Sequence, residues 1–164
     1  MAVSPAKENI LKKIRQALSN PAPLPFPQSE GNNSIFFPAP DDLEVVFAEE
    51  FVQLQGKFAF CNDEKDMLQQ IQKLIAEKQW TKIYCNEDKW NAAFSNTINL
   101  PTCDASITGC EFLVARTGTI VMSAAQQSGR TVSVYAPIHI CIAYTNQLVY
   151  DIKDALQKQK EKYA

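Results

Sequence analysis

The sequence lacks a long apolar run, and no stretch approaches the ~20 consecutive apolar residues that a membrane-spanning helix needs. Its first residues, MAVSPAKENILKKIRQAL, lack the apolar centre of a secretory signal peptide. Its formal net charge is only -2, and the one basic cluster, Lys7 to Arg15, lies on a helical pattern that suits a solvated face. These absences disfavour a membrane or a nucleic acid as partner and predict a cytoplasmic protein.

Motifs for cofactors and for hydrolytic catalysis are also missing. The five cysteines form no CxxC pair, and Cys103 and Cys110 have no histidine or further cysteine at ligand spacing. Such thiols stay reduced in the cytoplasm, so buried structural cysteines are favoured over a metal or iron–sulfur site. Neither GxGxxG nor GxxxxGK(S/T) occurs, and no HExxH, Ser-His-Asp order or diagnostic carboxylate pair is found. We therefore expect no metal and no cofactor on this chain.

Residues 1–42 are predicted to form a helix on a proline-rich tether. Six prolines lie between Ser19 and Asp42, a density that blocks both helices and sheet ladders. The preceding helix either folds back onto its own domain or docks on a partner. It is predicted over residues 7–18 from apolar residues at helical spacing, namely Ile10, Leu11, Ile14, Ala17 and Leu18.

Residues 43–164 are predicted to form one α/β domain, and its first half consists of two βα units. Such units in succession imply a parallel sheet with right-handed crossovers. Asp41 or Asp42 is available to cap the first helix, which Gly56 ends, and Asp63 starts the second. The predicted elements are helices over 43–54, from 63 and over 87–94, and short strands over 57–61 and 82–85.

The second half of the domain is predicted to consist of strands joined by short turns, followed by a helix. Asp151 caps this last helix, which runs to about Lys162 with Ile152, Ala155 and Leu156 facing inward. The sheet is therefore expected to be parallel in its first part and mixed in its second. The predicted strands cover residues 111–115, 119–123, 131–135 and 139–144.

The glycine hairpin formed by Arg116, Thr117, Gly118 and Thr119 has two interpretations. Backbone amides around a glycine can converge on an anion, and Arg116 and the threonine hydroxyls add donors. Alternatively, the segment is a tight turn that requires Gly118 at positive φ. The spacing alone favours the turn.

Further candidate residues lie close to this hairpin in the sequence. Thr108 and Gly109 form another glycine turn beside Glu111, which is a nucleophile or base if buried and otherwise a solvated rim residue. His139, the single histidine, begins an apolar strand. It is either a core residue or a ligand contact. Arg130, on a Ser-Gly-Arg loop, is solvated or reaches an anionic ligand. The sequence thus predicts a small-molecule pocket with Glu111 or His139 as acid or base.

Two segments, ITGCEFLVARTGTIV and SGRTVSVYAPIHICIAYTNQLV, resemble the LUD domain of the lactate utilization protein C family. That family shows an Ile-Thr-Gly element, an Ala-acidic-Thr-Gly-Thr hairpin, a Gly-Arg loop and a Pro-x-His-Ile strand, and all four occur here in that order. The resemblance covers residues 5–20 and 43–157. One departure is Arg116, which stands where the family has Asp or Glu and reverses the local charge.

The resemblance implies a fold and a function. The fold is an α/β, three-layer, Rossmann-like mixed sheet similar to that of ribose-5-phosphate isomerase, glucosamine-6-phosphate deaminase and the CoA transferases. The function is that of a non-cluster subunit in a cytoplasmic system that oxidises L-lactate to pyruvate, with iron–sulfur subunits as partners. The alternative is a stand-alone enzyme or binding domain of the same fold that acts on an anionic metabolite. Homodimerisation through an exposed sheet edge is left open.

Overall fold

The computed structural model describes residues 5–19 and 39–164, and the chain divides into two units after Phe37. The described part of the first unit is helix α1 (Pro5–Ser19), which confirms the helix predicted over 7–18. Most of the predicted proline-rich tether lies outside the described residues. Three apolar side chains of α1 are exposed, namely Ile10, Leu11 and Ile14.

The described part of the second unit contains five α-helices and six strands. Among the helices that the structure describes, none combines the length and the apolar character needed to cross a membrane. The helices are α2 (Leu43–Gln53), α3 (Glu64–Lys78), α4 (Asn91–Phe94), α5 (Val132–Tyr135) and α6 (Ile152–Lys162). The strands are β1 (Ile83–Cys85), β2 (Ala105–Thr108), β3 (Phe112–Val114), β4 (Thr119–Val121), β5 (His139–Cys141) and β6 (Leu148–Val149).

The six strands form two three-stranded sheets. The first sheet has the order β1-β2-β5 with parallel pairs throughout, and Ser106 of β2 lies opposite His139 of β5. The second has the order β4-β3-β6, with β3 antiparallel to β4 and parallel to β6. The predicted α/β class and the change from parallel to mixed pairing are confirmed. The prediction of a single mixed sheet is wrong, because the strands form two separate sheets. The chain leaves β2 through Gly109 and Cys110 and starts β3 in the second sheet.

Helix α3 covers the first sheet. The Asp63 side chain accepts a hydrogen bond from the Asp66 amide at 2.7 Å, which fixes the start of α3 as predicted. Ile71 of α3 is buried against Ile83 of β1 and Ile107 of β2. This apolar contact holds the helix on the sheet.

The second sheet is covered by a helix on each face. Leu113 belongs to the apolar cluster around Phe47 of α2, whereas Val114 packs with Ala155 of α6. This division follows from strand geometry, since successive side chains point to opposite faces. The second sheet is therefore the middle of three layers.

Helix α6 begins where it was predicted. The Asp151 side chain accepts from the Lys153 amide at 3.1 Å, and the Asp154 side chain accepts from the Asp151 amide at 3.2 Å. The prediction that Ile152 and Leu156 face inward is wrong, because their side chains are 44% and 57% exposed. Of the three predicted inward residues, only Ala155 is buried, where the helix packs against β3 and β6.

The strand predicted over residues 57–61 is not formed. The backbone of Ile83, at the free edge of β1, instead bonds the loop that follows α4. The Asn96 side chain accepts from the Ile83 amide at 2.7 Å, and the Asn96 amide donates to the Ile83 carbonyl at 3.1 Å. This loop takes the hydrogen bonds that a further strand beside β1 would need. The end of α2 also differs from the prediction, because Gln55, and not Gly56, has the positive φ of 66°.

The segment predicted as a strand over residues 131–135 is a helical turn, α5. The Thr131 carbonyl accepts from the amides of Val134 and Tyr135 at 3.1 and 3.2 Å, so these hydrogen bonds are local. Val132 is buried, whereas Val134 is 79% exposed. The two valines thus lie on opposite sides of a helical turn and not in a sheet. The strand that follows Pro137 is shorter than predicted and ends at Cys141.

Candidate functional site

Thr108 and His139 are in direct contact on the first sheet. Parallel register places Ser106 opposite His139, and Thr108 lies two residues further along on the same face. Thr108 Oγ1 and His139 Nε2 are 2.7 Å apart, and Thr108 Oγ1 is also 2.9 Å from the Gly109 carbonyl oxygen. The sequence-predicted Thr108, Gly109 and His139 are thus brought together. The region containing Thr108 was predicted as a turn, yet β2 is a fully buried strand.

Burial lowers the pKa of His139, so the ring is neutral at neutral pH. A neutral imidazole has one nitrogen that donates and one that accepts. If the Thr108 hydroxyl donates to the Gly109 carbonyl, His139 Nε2–H donates to the hydroxyl. If the hydroxyl donates to Nε2, the proton of the ring is on Nδ1. In either arrangement the Thr108 hydroxyl and the His139 ring are hydrogen-bonded to each other.

Glu111 is buried between the second sheet and the end of α6. Its carboxylate accepts hydrogen bonds from the Ser123 hydroxyl and the Tyr163 hydroxyl, both at 2.6 Å, and from Lys162 Nζ at 2.7 Å. Burial alone raises the pKa of Glu111, but the bonds from Lys162, Ser123 and Tyr163 together lower it below its usual value. An ionised carboxylate with three donors is a weak base, and this arrangement ties the C-terminal helix to the sheet.

The predicted hairpin residues make contacts within the protein. An Arg116 Nη1 atom donates to the Asp151 carboxylate at 2.6 Å, which joins the hairpin to the N-cap of α6. Thr117 Oγ1 and Thr119 Oγ1 are 2.8 Å apart, and Gly118 has the predicted positive φ, here 59°. These contacts fit the tight-turn interpretation, while the role of these four residues in binding a ligand stays a prediction.

Gly109 and Arg130 lie in different surroundings. The Trp90 ring is 3.5 Å from the position that a Cβ of Gly109 would take, an ordinary van der Waals distance, so the ring lies beside the backbone after β2. Arg130 is exposed on the loop before α5, and its carbonyl accepts from the Ser133 hydroxyl at 2.9 Å.

A surface groove of about 460 Å³ between α3 and α4 contains none of the predicted site residues.

All five cysteines are free thiols. The hydrogen bond with Cys110, together with burial, raises the pKa of Cys141, and burial raises that of Cys85. Metals bind the thiolate, and a raised pKa keeps a thiol protonated. Within residues 5–19 and 39–164, no group of three or more His, Cys, Asp or Glu side chains is placed to hold a metal ion.

Three buried polar side-chain atoms were missed by sequence reasoning. In the part of the chain that the structure describes, Glu87 Oε1, Trp90 Nε1 and Ser128 Oγ have no hydrogen-bond partner. The strand predicted over 82–85 offered the signal, because ligands of open α/β sheets bind beyond the carboxyl ends of strands. Glu87 and Trp90 follow that strand directly.

Residues 86–164 match the model of the LUD domain family. This part of the chain is similar to the LUD domain. The matched residues contain both strands of the Thr108–His139 contact, the whole second sheet and α6. The resemblance drawn from the Ile-Thr-Gly, Thr-Gly-Thr and Pro-x-His-Ile segments is thereby confirmed.

Similar proteins match shorter or more divergent regions. An uncharacterized protein of Neisseria meningitidis serogroup B is 29% identical over 73 residues, which is 44% of this chain and 29% of that protein. Lactate utilization protein C of Deinococcus radiodurans is 32% identical over 59 residues, which is 35% of this chain and 28% of that protein. The chain thus spans less than a third of the length of these curated relatives.

A solved structure shares the fold. The crystal structure of a DUF162 family protein from Deinococcus radiodurans superimposes with a TM-score of 0.61 over 73% of this chain and 80% of that one, at 17% sequence identity. At this identity the likeness supports the arrangement of helices and sheets and carries no statement about chemistry.

Proposed function

We propose that this chain is a non-cluster subunit of a cytoplasmic iron–sulfur system that oxidises L-lactate to pyruvate. The observation that carries the proposal is the match of residues 86–164 to the LUD domain, together with 32% identity over 59 residues to a protein named lactate utilization protein C. The thiol chemistry agrees with it. Iron–sulfur clusters need several thiolate ligands, and the raised pKa of Cys85 and Cys141 suits protonated thiols, so the clusters belong on partner subunits.

The proposal includes the Rossmann-like fold of ribose-5-phosphate isomerase, glucosamine-6-phosphate deaminase and the CoA transferases for residues 43–164. The parallel first sheet and the helices on both faces of the second sheet support it. It also includes residues 1–42 as a docking arm. The support for this arm is the exposure of Ile10, Leu11 and Ile14 on α1, since an amphipathic helix can present such a stripe to a groove on a partner.

Affinity purification from cells grown with L-lactate tests the subunit proposal. A tagged full-length chain is expected to recover iron-containing partners and lactate-dependent dye reduction, and deletion of its gene is expected to abolish growth on L-lactate. Cells grown on an unrelated carbon source provide the control for expression. Recovery of the chain alone, free of iron, together with normal growth of the deletion strain on L-lactate, would contradict the proposal. The mass of the purified chain in solution separates a monomer from a homodimer.

A second candidate function is that of a stand-alone enzyme or binding domain for an anionic metabolite. The observation that favours it is the part-buried Thr108–His139 contact of 2.7 Å, in which a neutral histidine is available as acid or base. Thermal shifts with sugar phosphates, CoA esters and hydroxy acids test it. Saturating binding raises the free energy of unfolding by about 2.7 kcal/mol at a hundredfold excess over Kd. No shift with any of these anions would count against this function, and a shift lost in Arg116→Ala would assign the ligand to the hairpin.

A further inference from the structure

Two cysteines lie beside the Thr108–His139 contact. Cys141 ends β5 and is on the same face of the strand as His139, two residues earlier. Cys110 follows Thr108 by two residues and belongs to the connection that leads from β2 to β3. The Ile142 amide donates to the Thr108 carbonyl at 2.8 Å, so the two chains are still paired where they reach the cysteines. Cys110 and Cys141 are thus brought together by the register of two strands.

The two thiols are hydrogen-bonded to each other inside an apolar cluster. The bond with Cys110 is the largest cause of the raised pKa of Cys141, which identifies the Cys141 thiol as the donor and the Cys110 sulfur as the acceptor. Both side chains belong to the cluster around Phe47 of α2. Cys110 is buried, whereas Cys141 is only partly buried, so the pair is open to a small molecule from the Cys141 side.

The other three cysteines have different surroundings. In the part of the chain that the structure describes, no second thiol contributes to the raised pKa of Cys61, Cys85 or Cys103, and burial is the largest cause for each. Two thiols in contact can be joined by a disulfide, whereas a solitary buried thiol has no partner for this reaction. The chemistry that follows therefore applies to Cys110 and Cys141, and the other cysteines serve as internal controls.

We propose that Cys110 and Cys141 are a site of reversible oxidation, at which hydrogen peroxide converts the two thiols to a disulfide. The Cys110 sulfur attacks one peroxide oxygen, the O–O bond breaks, and the other oxygen leaves as water with the thiol proton. The Cys141 sulfur then attacks the resulting sulfenic acid. The S–S bond forms, the S–O bond breaks, and the hydroxyl leaves as water with the Cys141 proton. The two sulfurs together lose two electrons, which the peroxide gains.

The hydrogen bond between the thiols sets the order of the two steps. A donor stabilises negative charge on the sulfur that accepts, and peroxides react with sulfur in its thiolate form. Cys110 is that acceptor, and Gln147 Nε2 donates to the Cys110 carbonyl at 2.6 Å, which fixes the backbone beside it. The disulfide ties the connection after β2 to the end of β5. It thereby restrains the contact between Thr108 and His139, each of which lies two residues before one of the cysteines.

Peptide mapping of the full chain, first reduced and then freed of reductant, tests the proposal. After treatment with hydrogen peroxide and alkylation of the remaining thiols, trypsin should give residues 90–116 linked to residues 131–153, with two hydrogen atoms fewer than the separate peptides. Dithiothreitol should release the two peptides. Cys103→Ser is the matched control, because Cys103 lies in the same peptide as Cys110 and its loss should leave the link intact. In Cys141→Ser, Cys110 should stop at the sulfenic acid, which dimedone traps.

Two measurements on the oxidised wild-type protein need no variant. Its melting temperature should exceed that of the reduced protein, because the disulfide restricts the unfolded chain. The imidazole NMR signals of His139 should shift on oxidation and return with dithiothreitol. The proposal is overturned if the folded protein yields no linked peptides, if the link requires Cys103, or if it forms only after unfolding in urea. A link that leaves the His139 signals unshifted would overturn the restraint on the Thr108–His139 contact.

Discussion

Gly118, at the tip of the β3–β4 hairpin, lies directly against the backbone of Phe51 in α2. A Cβ on Gly118 would be 2.8 Å from the Phe51 amide nitrogen and 2.9 Å from the Glu50 carbonyl carbon. Its backbone φ of 59° adds a second restriction, because residues other than glycine rarely adopt this conformation. The glycine of the Thr-Gly-Thr motif is thus required for the packing of a helix on a hairpin.

We predict that Gly118→Ala destabilises the protein by about 2–4 kcal/mol, through backbone strain and overpacking against α2. Urea unfolding at neutral pH measures the change. Gly129→Ala is the matched control, because Gly129 has a similar φ of 62° but nothing within 4 Å of its Cβ position. The control should cost only about 1 kcal/mol. Equal losses of unfolding free energy in the two variants would mean that the close contact with α2 adds nothing to the effect of Gly118→Ala.

We predict that Glu111→Gln lowers the free energy of unfolding by about 1–3 kcal/mol, because an amide NH₂ would face donors that a carboxylate satisfies. The lowered pKa of Glu111 sets the sign of the pH effect. The stabilisation is complete well above the ordinary value of 4.5 and is lost as the pH falls through the lower folded value. The difference between wild type and variant should therefore shrink in acid.

Glu64→Gln is the control for this carboxylate. Glu64 pairs with Lys89 at the surface, and its side chain is 56% exposed, so its substitution should leave the unfolding midpoint almost unchanged. If Glu111→Gln has an equally small effect, the link between the end of α6 and the second sheet does not contribute to stability.

We predict that stability falls as the pH drops below about 6.5 and that His139 causes this slope. In the unfolded chain His139 gains a proton near pH 6.5. In the folded protein it resists protonation, because burial lowers its pKa. The contribution of neutral His139 to stability is thus complete above pH 6.5 and is lost as the pH falls through its folded pKa. His139 is the only histidine in the sequence, so an imidazole NMR titration reports it without overlap. In His139→Gln the slope between pH 5 and 6.5 should disappear; if it persists, other groups produce it.

The sequence predicted those elements whose hydrogen bonds are local. The Asp63 cap of α3, the Asp151 cap of α6 and the glycine turn at Gly118 each depend on residues within a few positions of one another. The strand expected over 57–61 failed for the opposite reason. Whether an extended segment joins a sheet depends on a distant edge, and Asn96 already occupies the edge of β1.

Prediction of the candidate site was limited in the same way. Thr108 and His139 were chosen from turn and strand positions, but their contact depends on the register of two parallel strands separated by 31 residues. The sequence predicted Glu111 as an acid or base and Arg116 as a ligand contact, and both roles stay predictions. It did not reveal their ion-pair partners, Lys162 and Asp151, because these are distant in the chain. A spacing pattern reveals which residues carry charge and does not reveal which charges meet.

We predict that Ile14→Asp in α1 reduces recovery of partner subunits at least about tenfold, because it places a charge on the exposed apolar stripe of the proposed docking arm. Gln16→Asp is the matched control, since it adds the same charge to an exposed residue on the other side of the helix. Deletion of residues 1–37 should leave the second unit folded, as judged by circular dichroism and a cooperative melt, and should abolish association. Full partner recovery by the truncated chain would show that docking uses the second unit.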